Sequence, residues 1–481
     1  MINVIGWFII ACSVLCNSNA ATGGSNLNLL AEWVTVDYLW DANHSRALYQ
    51  ESGQFAVANN LITGVKVSSQ GDIFVAVPRW MSGVPSSLNK LVSNPNGDGY
   101  VLDPWPSWQF NEINRTGSLQ YAQSFIIDSQ NRMWIPEVGR TNFFDANPSL
   151  VTSAPAGIFV VNISDGSVLL NYYFPDSVVP YNNSFVNDIV LDEENGFAYF
   201  TNTWGSGGII VYNINANNSH MFVSSATQRN SSYDFCVNGI CYGTDGVGSS
   251  PSDGIALSGD NSKLYWSAVQ GQGLYSIETK YLWNFSMSDE QFESNLIFLG
   301  FKTGCSDGLL YLNGALYYGD VTHSAIVLLN DLSSFTEPNS INPSQSLVAS
   351  SDSYSLNWID TFASDLNSNS ILYFTSNRLN LFFSGAMDFT GNSGANMRLY
   401  QATVMLNTLA PTSSNSATGL TKNAITAIAL AGFFVVVAVT VYVSFGGLTK
   451  KPTILGDVTA AANPNISPIY TNSGFKEGGN V

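Results

Sequence analysis

Six times along the chain a polar turn is followed by a short apolar run with an aromatic residue inside it, and this recurrence limits the possible folds more than any other feature. The anchors are Phe74, Trp134, Tyr199, Tyr265, Tyr317 and Tyr373, spaced 52 to 66 residues apart. Each stands among β-branched and aromatic residues behind a turn residue, the composition of a strand entered through a turn. Most are preceded by a second apolar run, as in Asn187-Asp188-Ile189-Val190-Leu191-Asp192 and Asp253-Gly254-Ile255-Ala256-Leu257-Ser258, so each unit opens with a hairpin. The spacing fits a four-stranded blade with its loops, and no unit carries a helical partner of constant length, which argues against a solenoid. The expected fold is all-β: a closed six-bladed β-propeller over residues 30–405. Residues 31–38 and 398–404 both alternate as strands do, so the first and last strands should share one blade, since each would otherwise leave an exposed edge.

Composition agrees with a large buried core. Of 481 residues, 45% are hydrophobic and only 11% charged, so most strands can bury at least one face. A formal net charge of −18 excludes the basic footprint a nucleic-acid partner requires. It suits a cationic ligand, and equally a surface kept soluble by acidity.

An apolar segment lies at or near each end. Residues 4–16 are too short to span a bilayer and lead into Ser18-Asn19-Ala20, a small-residue cleavage pattern, so residues 1–20 are expected to be a secretory signal peptide. Residues 424–445 carry no charge and, as a helix, would cover the roughly 30 Å hydrocarbon layer. Lys450 and Lys451 follow, against Lys422 before, which sets the C-terminus in the cytoplasm. The expectation is a single-pass type I protein at the cell surface, with a Ser/Thr/Asn-rich stalk at 406–423 and a disordered tail at 446–481. A lipid-anchor signal is the competing reading of the segment, opposed by the polar tail behind it.

Removal of the leader would leave Cys236, Cys241 and Cys305. Cys236 and Cys241 flank a turn sequence, so a local staple is the easiest pairing, with Cys305 able to compete for either. Neither a metal nor a cofactor is expected: His44, His220 and His323 have no zinc spacing to these cysteines. Sequons at Asn43, Asn114, Asn162, Asn182, Asn217, Asn230 and Asn284 support passage through the secretory pathway, while an eighth, at Asn465, would stay bare on the cytoplasmic side.

Several distinctive stretches follow one another over residues 30 to 405: Val77-Pro78-Arg79-Trp80-Met81-Ser82-Gly83-Val84-Pro85 and its continuation to Asn89, Leu102-Asp103-Pro104-Trp105-Pro106-Ser107-Trp108, the two hairpin stretches given above, Leu274-Tyr275-Ser276-Ile277-Glu278-Thr279 and Thr375-Ser376-Asn377-Arg378-Leu379. Together, in this order, they resemble the Yellow and major royal jelly protein family. The resemblance implies a secreted six-bladed propeller. It also implies one of the family's associations: cuticle pigmentation with proposed dopachrome conversion, nutritive secretion, or salivary capture of biogenic amines in the central channel. A membrane anchor and a small cysteine set depart from that pattern.

In a propeller the innermost strands line a channel, and polar residues at their starts face any ligand there. The candidates are Asn187, Asp188, Asp253, Asp307, Asp360 and Asn377; as residues before strands they could equally cap turns. A carboxylate with an aromatic wall would hold a small amine or aromatic ligand through a charge-assisted hydrogen bond and cation-π attraction. Arg79 and Trp80 are expected to pack between blades, with a place in a pocket wall as the alternative. There is no Gly-x-Ser-x-Gly elbow, phosphate loop or His-Glu-x-x-His, so no catalytic residue is assigned, although a tautomerase needs only a positioned acid and base. The sequence therefore supports a tethered extracellular binding module for such a ligand or for a protein partner, with dopachrome conversion as the alternative. It is silent on oligomeric state.

Overall fold

A computed structural model describes residues 27–144, 151–242, 250–330, 341, 345–350 and 353–404. The expected leader, stalk, membrane-spanning segment and tail lie outside these residues. Among the described ones, no helix is long and apolar enough to cross a membrane.

Six four-stranded antiparallel sheets form the blades of a propeller. Blade 1 runs outward through Val65–Val67, Ile73–Ala76, Leu88–Ser93 and Tyr100–Pro104, and blade 2 through Ile126–Ile127, Arg132–Glu137, Gly157–Asn162 and Val168–Tyr173. Blade 3 comprises Val186–Asp192, Phe197–Asn202, Ile209–Asn213 and Asn218–Phe222; blade 4 comprises Ser252–Leu257, Lys263–Ala268, Gly273–Glu278 and Ile297–Phe301. Blade 5 is Ser306–Leu312, Ala315–Asp320, Ala325–Leu329 and Gln345–Ser350. Blade 6 takes Trp358–Asp365, Ser368–Asn377 and Met397–Thr403 from the end of the ring and Leu27–Trp33 from its beginning.

All six aromatic anchors fall on second strands, and five of them are almost fully buried, between blades. The turns before them are built for reversal: Gly71, Asn131, Gly196, Asn261 and the Asn313-Gly314 pair hold positive φ, which Gly and Asn adopt at least cost.

The ring closes through antiparallel pairing of Leu27 with Ala402 to Trp33 with Met397. The closing strand lies upstream of most of the alternating 31–38 stretch. Past Trp33 the chain leaves the blade, and Tyr38 makes a single parallel bridge to Leu102. Its hydroxyl, buried, donates to Asn60 Oδ1 at 2.7 Å, so the alternation there serves packing against blade 1 rather than a ladder.

Two small ribbons stand outside the blades, Arg140–Thr141 with Val151–Thr152 and Cys236–Val237 with Ile240–Cys241. A disulfide joins Cys236 to Cys241, and Cys305 is a buried free thiol. Among the described residues the sequon asparagines are exposed except Asn162, which is half-buried; Asn465 lies outside them.

Candidate functional site

In blades 3 to 6 the innermost strand breaks register at the same place, between Val186 and Ile189, Ser252 and Ile255, Ser306 and Leu309, and Ile359 and Phe362. A bulge of this kind re-aims side chains that a regular ladder would send to alternate faces. The first residues of the four bulges, Asn187, Asp253, Asp307 and Asp360, meet at the floor of one cavity of about 80 Å³. The second residues are Asp188, Gly254, Gly308 and Thr361. Of these, Asp188, Gly308 and Thr361 line a smaller space beneath the floor, about 10 Å³, close to the room one water needs. Asn377 sits one strand back, on the second strand of blade 6. It donates from Nδ2 to Asp360 Oδ2 at 3.0 Å and so positions a floor residue from behind.

The walls are aromatic, and several blades contribute to them. Trp80 enters from blade 1, Phe143 and Phe144 from blade 2, Phe185 and Trp204 from blade 3, and Trp358 and Phe383 from blade 6. Phe143 packs on Phe185 and Trp204 at centroid separations of 5.0 and 5.5 Å, and Trp80 on Phe383 at 5.4 Å. Trp358 joins wall to floor: its indole Nε1 donates to Asp307 Oδ2 at 2.7 Å. Behind the wall, Phe235 of the disulfide segment meets Trp358 edge-on at 5.6 Å, and the hydroxyl of Tyr242 donates to Asn380 O at 2.9 Å. Apart from Trp80, the sequence reading missed these rings. Trp358 carried a usable signal, since it precedes Asp360 by two on one strand.

Arg79 and Trp80, adjacent in sequence, separate in role. Arg79 is fully buried and donates to the carbonyl oxygens of Val84, Pro85, Asn111, Leu119 and Gln120, packing between segments of chain, whereas Trp80 is part of the pocket wall.

Charge at the floor is concentrated and poorly solvated. Burial pushes Asp253 up to about 7, and the nearby Asp188 and Asp360 push in the same direction, against hydrogen bonds from Asp307 and Asn187. Burial, followed by the charge of Asp253, holds Asp307 well above the ordinary carboxylate range. Burial and the charge of Asp307 do the same to Asp360. Asp188 is raised by burial, opposed by Lys66 and by the Ser124 hydroxyl, which donates to it at 2.8 Å. Lys66 itself donates to Phe362 O at 2.8 Å. Lys302, brought down to about 8 by burial, donates to the hydroxyls of Ser267 and Ser306, the latter adjacent to Asp307.

These shifts predict an unusual pH dependence of stability. Between the unfolded carboxylate range and about pH 7 the folded protein binds protons that the unfolded chain has released. Stability is therefore greatest at mildly acidic pH and is lost as pH rises through the folded values. Urea unfolding at pH 5 and pH 8 should differ by on the order of 2 kcal/mol in favour of pH 5, and Asp360→Asn should flatten the slope. Equal stability at both pH values would contradict it.

Among the described residues, Asp234, Cys236 and Cys241 form the one His/Cys/Asp/Glu grouping tight enough for a metal, and the disulfide has taken both of its sulfurs. What the pocket offers chemically is a set of acceptors at the base of an apolar cup.

The chain is 27% identical to major royal jelly protein 5 of Apis mellifera over 338 residues, 67% of this chain but 54% of that protein's length. It is 28% identical to a dopaminechrome tautomerase of Drosophila melanogaster over 201 residues, 40% of this chain and 42% of the relative. Among solved structures, a luciferin-regenerating enzyme is similar, with 12% identity, coverage of 79% of this chain and 96% of that one, and a TM-score of 0.44. The family model described as major royal jelly protein matches residues 122–409, so most of the ring, including all four bulges, falls within it. The chain belongs to the major royal jelly protein family.

Proposed function

We propose that this protein is an extracellular propeller, tethered to the membrane by residues 424–445, that captures a small cationic or aromatic ligand of the biogenic-amine kind in its central pocket. The observation that carries the reading is the convergence of Asp253, Asp307 and Asp360 at the base of an aromatic-walled cavity. Carboxylates would take an ammonium through charge-assisted hydrogen bonds, and the rings would take the ligand's apolar body and part of its charge. The Cys236–Cys241 disulfide supports an oxidising, extracellular setting. Calorimetry of the purified protein against a panel of biogenic amines should give binding heat, and silence with every amine would overturn the small-amine reading and leave a protein partner. Asp307→Asn should weaken binding about 30-fold, the loss of one charge-assisted contact worth about 2 kcal/mol.

A second reading, dopachrome conversion, is favoured by the dopaminechrome tautomerase relative and by Asp253, whose value of about 7 suits a group that both gives and takes a proton near neutrality. Incubation with dopachrome that proceeds only at the spontaneous rate would dispose of it.

A further inference from the structure

We infer that a second cavity, beside the central pocket, seats the first sugars of an N-linked glycan carried by Asn114. This rests on the extracellular part of the reading above and owes nothing to the amine or to the carboxylates that would hold it.

The cavity measures about 610 Å³. It shares two segments of chain with the central pocket: Trp80, Phe143 and Phe144 line the pocket, while Ser82, Thr141 and Asn142 line the cavity. The segment before blade 1 brings His44 and Tyr49 to it, and the connection between blades 1 and 2 brings Trp108 and Ile113. The imidazole of His44 lies flat on the Trp108 indole, centroids 4.5 Å apart and planes within 8°, and Tyr49 meets the indole edge-on at 5.7 Å. Asp41 Oδ1, 2.8 Å from Nδ1 of His44, keeps that stack in place. Ile113 is an apolar side chain left 39% exposed. The cavity is also lined by groups that give and take hydrogen bonds: Gln109, Asn142, and Arg115 paired with Glu112 at 3.1 Å.

Aromatic and aliphatic surface mixed with polar groups matches the chemistry of a pyranose. One side of such a ring is a sheet of C–H groups, which packs on aromatic and aliphatic carbon, and its perimeter carries hydroxyl groups that both donate and accept. Asn114 itself lines the cavity and begins the sequon Asn114-Arg115-Thr116. Its place is fixed from two sides: the backbone N–H donates to Gln120 Oε1 at 2.8 Å, and Oδ1 accepts from the Ser153 hydroxyl at 3.1 Å. Both bonds survive glycan transfer, because the sugar joins Nδ2. That nitrogen forms a bond to the anomeric carbon of N-acetylglucosamine and loses one proton. The bond from the same carbon to a lipid diphosphate donor breaks, and the diphosphate leaves with the electron pair. A sugar linked covalently at the cavity wall has an effective concentration on the order of millimolar, so even a weak fit is kept filled.

Full-length protein from a eukaryotic secretory host, treated with peptide N-glycosidase without denaturant and followed sequon by sequon by glycopeptide mass spectrometry, tests the seat. Asn114 should be occupied and should lose its glycan at least about tenfold more slowly than Asn217 and Asn284, exposed residues of blades 3 and 4. Ile113→Asp, a change at an exposed side chain, should bring release at Asn114 to within about threefold of those two, and Trp108→Ala should do the same through the ring. Three results would each overturn the seat and leave the extracellular reading standing: Asn114 bare while Asn217 and Asn284 are occupied, release at one common rate, or slow release that neither variant quickens. No sugar at any sequon would remove the seat and the extracellular reading together.

Discussion

Replacing Arg79 with leucine is expected to destabilise the folded protein by about 4 kcal/mol, read as a shift in urea unfolding. The size follows from what the guanidinium does. It is 1% exposed, and burial brings it down to about 10, with Tyr38 and Glu137 as nearby counterweights. Its fork reaches Val84 O at 3.0 Å and Pro85 O at 2.9 Å on the loop of blade 1. It also reaches Asn111 O at 2.6 Å and Leu119 O at 3.3 Å on the connection to blade 2. Leucine would leave those carbonyl groups buried without donors. Lysine should recover less than half of the loss, because one ammonium cannot span two segments as a planar fork does. A leucine variant within 1 kcal/mol of the parent would show that the segments hold each other without it.

Gly254→Ala should damage fold and pocket together. A Cβ at this position in blade 4 would stand 2.1 Å from Asp307 O and 3.0 Å from Leu309 Cγ of blade 5. Neither the carbonyl of a bulged strand nor its neighbour can retreat without moving the Asp307 side chain. The expected cost is about 3 kcal/mol of stability, with a loss of amine affinity comparable to that of Asp307→Asn. Alanine that folds and binds normally would mean the inner strands can separate freely, and the floor would then lose its claim to fixed geometry. Position 188 in blade 3 shows why glycine is not needed everywhere: there the equivalent residue is Asp188, which faces the small space below the floor.

These two cases mark how far the chain can be read without coordinates. The aromatic anchors and their Gly or Asn turns repeat with the blade, so blade number and the order of strands were legible in residues such as Tyr199 behind Gly196 and Trp134 behind Asn131. The floor was legible as residue types, because Asp253-Gly254 and Asp307-Gly308 recur at one place in the repeat. Its geometry was not, since a polar pair before a strand looks the same whether it closes a turn or forms a bulge, and it left Asn377 undistinguished from the residue it supports. The aromatic wall was the least legible part. Trp80, Phe143 and Trp204 lie in loops and Phe383 ends the short helix Leu379–Phe383, none of them following a period, and only closure of the ring brings them together. Lys66, within a strand, and Lys302, just past one, were invisible for a related reason: a lone lysine gives no sign of the setting it will be packed in.

The closing blade has a mechanical consequence. Met397–Thr403, through which the chain passes toward its C-terminal end, is hydrogen-bonded on both sides, to Leu27–Trp33 and to Ser368–Asn377. A pull exerted through the chain beyond Val404 therefore meets a strand held by two ladders at once, with no free edge to peel. In a ring tethered as proposed above, drag would fall on that doubly held strand.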